Sequence, residues 1–132
     1  MTTEIYISIL GAISAITVSF IGAWLANKNS IILQTKKLKE EHYVPYIEAL
    51  HHLAGDNHNN SATEKYVFAR DKLFLIASEE VIKKMILYEE EAVGKENELH
   101  DTYLTELIKA IRKDLKLVDK NFPKIYLKKA NK

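Results

Sequence analysis

The sequence predicts an all-α protein, with one N-terminal transmembrane helix followed by a small antiparallel bundle of about four helices. Three observations carry this. Residues 5–26 run for 22 positions without a charge. Beyond them, apolar side chains recur at three- and four-residue steps and nothing shows convincing β alternation. Lys, Glu, Leu, Ile and Ala are plentiful, whereas the 132 residues hold only 4 Gly and 2 Pro, which favours helix and excludes long Gly/Pro linkers.

At a rise of ~1.5 Å per residue the uncharged run spans roughly 33 Å, slightly more than a ~30 Å hydrocarbon core. Tyr6 and Trp24 stand near its ends, where amphipathic rings favour the headgroup level. A cleaved signal peptide fits less well. The start, Met-Thr-Thr-Glu, has no basic side chain, the apolar stretch is too long, and Trp24 stands where a small residue is wanted. Lys28, Lys36, Lys37 and Lys39 follow the run and no acid appears until Glu40, so the positive-inside rule expects the rest of the chain in the cytoplasm. The same four lysines are candidate contacts for anionic lipid headgroups.

Within the run, Gly11, Ala15, Ser19 and Ala23 recur every fourth residue. Small side chains let helix backbones approach closely, so this stripe is a candidate helix-association face and points to a homo-oligomer. A stripe meeting a different partner helix fits the same pattern.

Residues 28–42 read as a helical continuation with an intermittent stripe of Ile31, Ile32, Leu38 and Tyr43, and Pro45 is expected to kink or restart the helix. Tyr46, Ile47, Leu50 and Leu53 then resume helical spacing. Residues 54–60 form the clearest loop, rich in Asn with Gly55 and Asp56. Ser61-Ala-Thr-Glu64 matches a capping box, and the helix it opens carries Tyr66, Val67, Leu73, Phe74 and Ile76 to about Ala77. Ser78 followed by Glu79 and Glu80 is a second helix start, with Val81, Ile82, Met85, Ile86 and Val93 inward and Gly94 as a stop. Leu99, Tyr103, Leu107, Ile108, Ile111 and Leu115 mark a last long helix over residues 96–117, the strongest amphipathic signal of the chain. The expected organisation is an anchor over 1–27, a basic juxtamembrane helix over 28–44, a cytoplasmic bundle over 45–117 and a Lys-rich tail over 118–132.

Cysteine is absent, which removes disulfides, thiolate metal sites and Cys nucleophiles. The net charge of +1 gives no general case for nucleic acid. His51, His52 and His58 lie near Asp56, but adjacent histidines on a helix point about 100° apart and cannot easily share one ion, so no metal is expected. His100 beside Asp101 and Tyr103 allows an acid/base pair to be sketched, with no nucleophile to accompany it. Neither Arg70 nor Arg112 is followed by His at the Arg-x4-His spacing of helical ribonucleases. The chain therefore reads as non-enzymatic, with no cofactor. Arg112 and Lys113, in the charged segment 111–115, are candidate contacts for a partner protein or an anion, against an ordinary salt-bridged helix face. Lys116, Lys120, Lys124, Lys128, Lys129 and Lys132 oppose only Asp119 and suit either anionic lipid or a solubilising end, whereas residues 79–106 hold nine acids against three lysines.

The order of anchor, Lys-rich connector, Tyr43-Val-Pro-Tyr46, residues 73–82 (LFLIASEEVI) and residues 107–115 (LIKAIRKDL) resembles a loose group of bacterial single-pass membrane proteins with a small cytoplasmic helical domain. The layout is also similar to that of membrane effectors of bacterial antiphage systems. The resemblance carries over no catalytic residues. It implies residence in the bacterial inner (plasma) membrane and a self-assembling, membrane-perturbing effector. The alternative is a tether or regulator that recruits a cytoplasmic partner protein.

Overall fold

The computed structural model describes residues 2–54, 60–93, 99–117 and 119–126, and every regular element among them is an α-helix. These are α1 (Thr2–Ala54), α2 (Asn60–Ile76), α3 (Glu79–Glu91) and α4 (Leu99–Asp114). The chain divides into two compact units, Met1–Lys37 and Leu38–Lys132.

The first unit is helical throughout its described residues and buries none of its large apolar side chains. It contains a stretch long and apolar enough to cross a membrane. Three of its hydroxyls bond back within the helix. Ser8 donates to the Glu4 carbonyl at 2.9 Å, Thr17 to that of Ile13 at 2.8 Å and Ser19 to that of Ala15 at 2.8 Å. Such back-bonding lets hydroxyl residues occupy an apolar medium without an unpaired donor.

The second unit packs the C-terminal part of α1 with α2, α3 and α4. Side-chain contacts fix its directions. Tyr46 meets Tyr66 and Tyr66 meets Glu89, so α1 to α2 and α2 to α3 are antiparallel hairpins. Lys113–Glu80, Lys84–Glu106 and Tyr88–His100 run in opposite order along α3 and α4, which form the closest helix pair. The core joins Tyr43, Tyr46, Ala49 and Leu50 of α1 to Tyr66 and Leu73 of α2. Val81, Met85, Tyr88 and Ala92 join it from α3 and its C-cap, and Leu104, Leu107, Ala110 and Ile111 from α4.

Pro45 lies inside α1, which neither restarts nor ends there. Proline in a helix interior costs ~3 kcal/mol. Here the helix is held from both sides of it by buried Tyr43, Tyr46, Ala49 and Leu50, while Pro45 itself faces solvent. Ile31 and Ile32 are exposed, so that stretch has no buried stripe.

α2 begins at Asn60, so Ser61 stands in its first turn and does not precede it as the capping box required. Ser78 does cap α3, its hydroxyl accepting from the Val81 N–H at 3.4 Å. Gly94 and residue 96 lie outside the described residues. α4 stops at Asp114, short of Leu117. The Lys116 N–H bonds the Lys113 carbonyl at 3.0 Å and the Leu117 N–H bonds that of Arg112 at 2.9 Å, with Lys116 at φ 60°. This is a Schellman motif with lysine where glycine is usual. A left-handed conformation costs a β-carbon residue ~1–2 kcal/mol. Lys116→Gly is therefore expected to stabilise the domain by ~0.5–1 kcal/mol net of the extra freedom glycine has when unfolded, read as a rise in Tm. A fall in Tm would contradict that assignment.

The segment after α4 folds back on it. The Thr105 hydroxyl donates to the Asp101 carbonyl at 2.7 Å and accepts from the Ile125 N–H at 2.9 Å, and Ile125 packs against the core. Residues 119–126 are thus tied to α4. Lys128, Lys129 and Lys132 lie outside the described residues.

Candidate functional site

The candidate surfaces are the apolar stretch of α1 with its basic flank and the polar faces of the helical domain. Along the stretch, large apolar side chains from Ile5 to Leu25 are 46–74% exposed. The interval from Tyr6 to Trp24 rises ~27 Å, close to the thickness of a hydrocarbon core. The Lys28 ammonium sits 5.4 Å from the centre of the Trp24 ring, a cation over an aromatic face at one end of the run.

Gly11, Ala15, Ser19 and Ala23 are all exposed. A β-carbon built at Gly11 or at Gly22 meets nothing within 4 Å, so neither glycine is required by packing within one chain. Ser19 already directs its proton to Ala15, which leaves its oxygen lone pairs for any contact across the stripe.

Lys28 and Lys37 are exposed and Lys36 is partly so. Lys39 is placed differently. Its ammonium pairs with Asp114 Oδ1 at 2.7 Å, and the two side chains are 17% and 7% exposed. Asp114 Oδ2 accepts from the Tyr43 hydroxyl and, at 3.4 Å, from the Ser78 N–H. Burial pushes the Asp114 carboxyl upward. The Lys39 and Tyr43 hydrogen bonds, the Lys39 charge and the Ser78 N–H outweigh that and hold it below its ordinary range. At the C-terminus of α4 an acid is unfavourable by itself, whereas beside the N-terminus of α3 it is favourable, so its partners decide its state.

Three more tyrosines join the remaining helix pairs. Tyr66 donates to Glu89 Oε1 at 2.7 Å and lies 3.5 Å from the Tyr46 hydroxyl. Arg70 binds Glu89 Oε2 at 3.2 Å and Asp71 Oδ1 at 3.0 Å. Tyr88 and His100 Nε2 are 2.7 Å apart. Burial is the main cause that raises all four phenols. Tyr46 is pushed up to about 12, and Tyr43, Tyr66 and Tyr88 also rise, with neighbouring Asp114, Tyr46 with Glu89, and Tyr46 with Asp101 adding to burial. They are hydrogen-bonding struts at neutral pH, not bases. Burial lowers the His100 pKa against the opposing pull of Asp101, so a neutral imidazole faces Tyr88. A tyrosine hydroxyl thus sits at each junction, α1–α4, α1–α2, α2–α3 and α3–α4. Among the described residues every buried side-chain polar atom is partnered.

His51 and His52 are exposed in the last turn of α1, while Asp56 and His58 lie outside the described residues. No group of three or more metal-type ligands occurs among the described residues. His100 takes Tyr88 as its close partner, with Asp101 4.0 Å away, instead of the Asp101/Tyr103 pair that adjacency suggested. The Arg112 fork binds both oxygens of Asp119 at 2.6 Å, and its guanidinium lies 5.3 Å from the Phe122 ring centre. Lys113 reaches Glu80 at 2.7 Å. A shallow groove of about 500 Å³ between Lys109, Lys113, Leu117, Lys120 and Phe122 adjoins them. Sequence reading missed the Lys39–Asp114 and Tyr88–His100 pairs. The one local signal was that Lys39 and Tyr43, four apart, share a helix face with the core tyrosines. No family model, curated protein or solved structure matches this chain.

Proposed function

We propose that this is a single-pass membrane protein whose helical domain lies in the cytoplasm and which acts by self-assembly, without a catalytic step of its own. The observation that carries the proposal is the uncharged stretch of α1. Its large apolar side chains find no cover within the chain, and surface of that extent is unstable in water. Lys28, Lys36 and Lys37 supply the positive flank that orients the span and can touch anionic lipid at ~1 kcal/mol each. Lys39, engaged by Asp114, is left out of that set. The exposed stripe of Gly11, Ala15, Ser19 and Ala23 supports association between spans. In an antiphage setting, drawing spans together would perturb the membrane, as the resemblance implies.

The test is the mass of the detergent-extracted particle, for the natural sequence and for Gly11→Leu combined with Ala15→Leu. The expected result is an oligomer whose mass falls in the double variant. A particle that is monomeric at all concentrations, or a mass that the double variant leaves unchanged, overturns assembly through the anchor. Recovery of one stoichiometric cytoplasmic protein with a monomer would select the tether reading.

A further inference from the structure

Beyond α4 the chain doubles back and makes a groove. The left-handed turn at Lys116 brings the returning residues alongside the end of α4. Between them lies a space of about 500 Å³ with Lys109, Lys113, Leu117, Lys120 and Phe122 on its walls. Lys109 and Lys113 are four apart and so share one face of α4. The returning segment is fixed on both sides of Phe122. The Arg112 fork holds both oxygens of Asp119 at 2.6 Å, and the Ile125 N–H bonds the Thr105 hydroxyl at 2.9 Å. The groove is therefore preformed, and its volume suits a small molecule.

We infer that this groove binds a phosphate ester, with the phosphate on Lys109, Lys113 and Lys120 and the organic body against Phe122 and Leu117. The charges select that class. Asp119 is the acid that lines the groove, and its bidentate pair with Arg112 neutralises it. The Lys120 side chain makes no hydrogen bond or ion pair among the described residues. Lys109 and Lys113 have partners, Glu106 and Glu80, but both pairs lie in solvent, with side chains 41–73% exposed, and such pairs hold weakly. Each acid keeps other support when its lysine turns into the groove. Glu106 has Lys84 at 3.7 Å on its second oxygen, and Glu80 stands in the first turn of α3, where the helix dipole favours a negative charge. The negative end of α4 is not presented bare, because the Ile111, Arg112 and Lys113 carbonyls accept from the Leu115, Leu117 and Lys116 N–H groups. Three ammonium groups around one space match the three oxygens and near-double charge of a phosphate better than they match a carboxylate.

Two sources carry this chemistry, a soluble nucleotide and the headgroup of an acidic phospholipid. Of Arg112 and Lys113, the anion contacts expected from the sequence, only Lys113 lines the groove. The site lies wholly within the helical domain, so it does not rest on the self-assembly reading.

The test is equilibrium dialysis of the full-length protein in non-ionic detergent against adenosine monophosphate and, separately, glycerol 3-phosphate, an acidic lipid headgroup without its chains. The expected result is one saturable site per chain with a Kd below ~1 mM for at least one ester, weakened about tenfold in Lys113→Gln combined with Lys120→Gln. Both lysines are exposed, so helicity and Tm should not change. Lys65→Gln combined with Lys72→Gln removes the same charge from α2 and should leave binding as it was. Tighter binding of adenosine monophosphate assigns the site to a nucleotide, and glycerol 3-phosphate bound as tightly or more tightly assigns it to a lipid headgroup. No saturable binding of either ester, unchanged binding in the groove variant, or equal weakening in the α2 variant would overturn the inference.

Discussion

Asp114→Ala is expected to destabilise the helical domain by about 3 kcal/mol, because it removes one partner from a pair that is almost out of solvent. The Lys39 ammonium loses its counter-charge, the Tyr43 hydroxyl loses its acceptor, and the Ser78 N–H loses its carboxylate at the start of α3. A buried donor left without a partner carries its full desolvation penalty, which is why the loss exceeds that of an exposed ion pair. Cutting an exposed pair such as Lys83–Glu79, both ends of which are largely solvated, should leave stability nearly unchanged. Denaturant titration of the two variants makes the comparison.

The same site gives a pH dependence whose sign is fixed. The folded-state pKa of Asp114 lies below its ordinary value of 3.8, so the unfolded chain binds the proton more readily. Its stabilising contribution is complete above about pH 4 and is lost as pH falls through the lower folded value. The natural protein should therefore lose stability in acid faster than Asp114→Ala. Parallel acid limbs for the two would show that the carboxylate is not held as the geometry indicates.

Leu107→Ala should cost about 3–4 kcal/mol. Leu107 is wholly buried in the centre of α4, in a core that includes Met85, Val81 and Tyr46, where the lost isopropyl group leaves a cavity that the tyrosine struts resist closing. Leu75→Ala, the same change on the exposed face of α2, should stay within ~0.5 kcal/mol for the folding of one chain. The contrast separates a residue that holds the fold from one that faces solvent. A Leu107→Ala loss under 1 kcal/mol would mean that α4 packs otherwise than described.

What could be read in advance follows from the range of the physical signal. The uncharged run of α1, the Ser78 cap and the inward Leu107 and Ile111 of α4 are local patterns, set by a few neighbouring residues, and each appears where expected. Pro45 misled because a local rule, the missing N–H, is overridden by tertiary burial of Tyr43 and Tyr46 on either side of it. Leu104, Thr105 and Ala110 were missed on α4 because its buried face is wider than a strict three–four stripe. Val67, Phe74, Ile86, Val93 and Leu99 were expected inside and are exposed, since periodicity gives the phase of a helix but not which side its neighbours cover. The polar network was the least legible part. Lys39 and Asp114 are 75 positions apart, and a lysine just after an apolar span looks like a headgroup contact until the fold returns an acid to it.

We propose that α1 crosses a membrane once with the helical domain on the cytoplasmic side. Single cysteines at Thr3 and at Lys120, one before the span and one on an exposed position after α4, allow a direct measurement with a membrane-impermeant maleimide on bacterial cells whose outer membrane has been made permeable. Thr3→Cys is expected to be labelled while the inner membrane is intact, and Lys120→Cys only after that membrane is broken. Labelling of Lys120→Cys on intact inner membranes, or recovery of the protein in the soluble fraction, would contradict it.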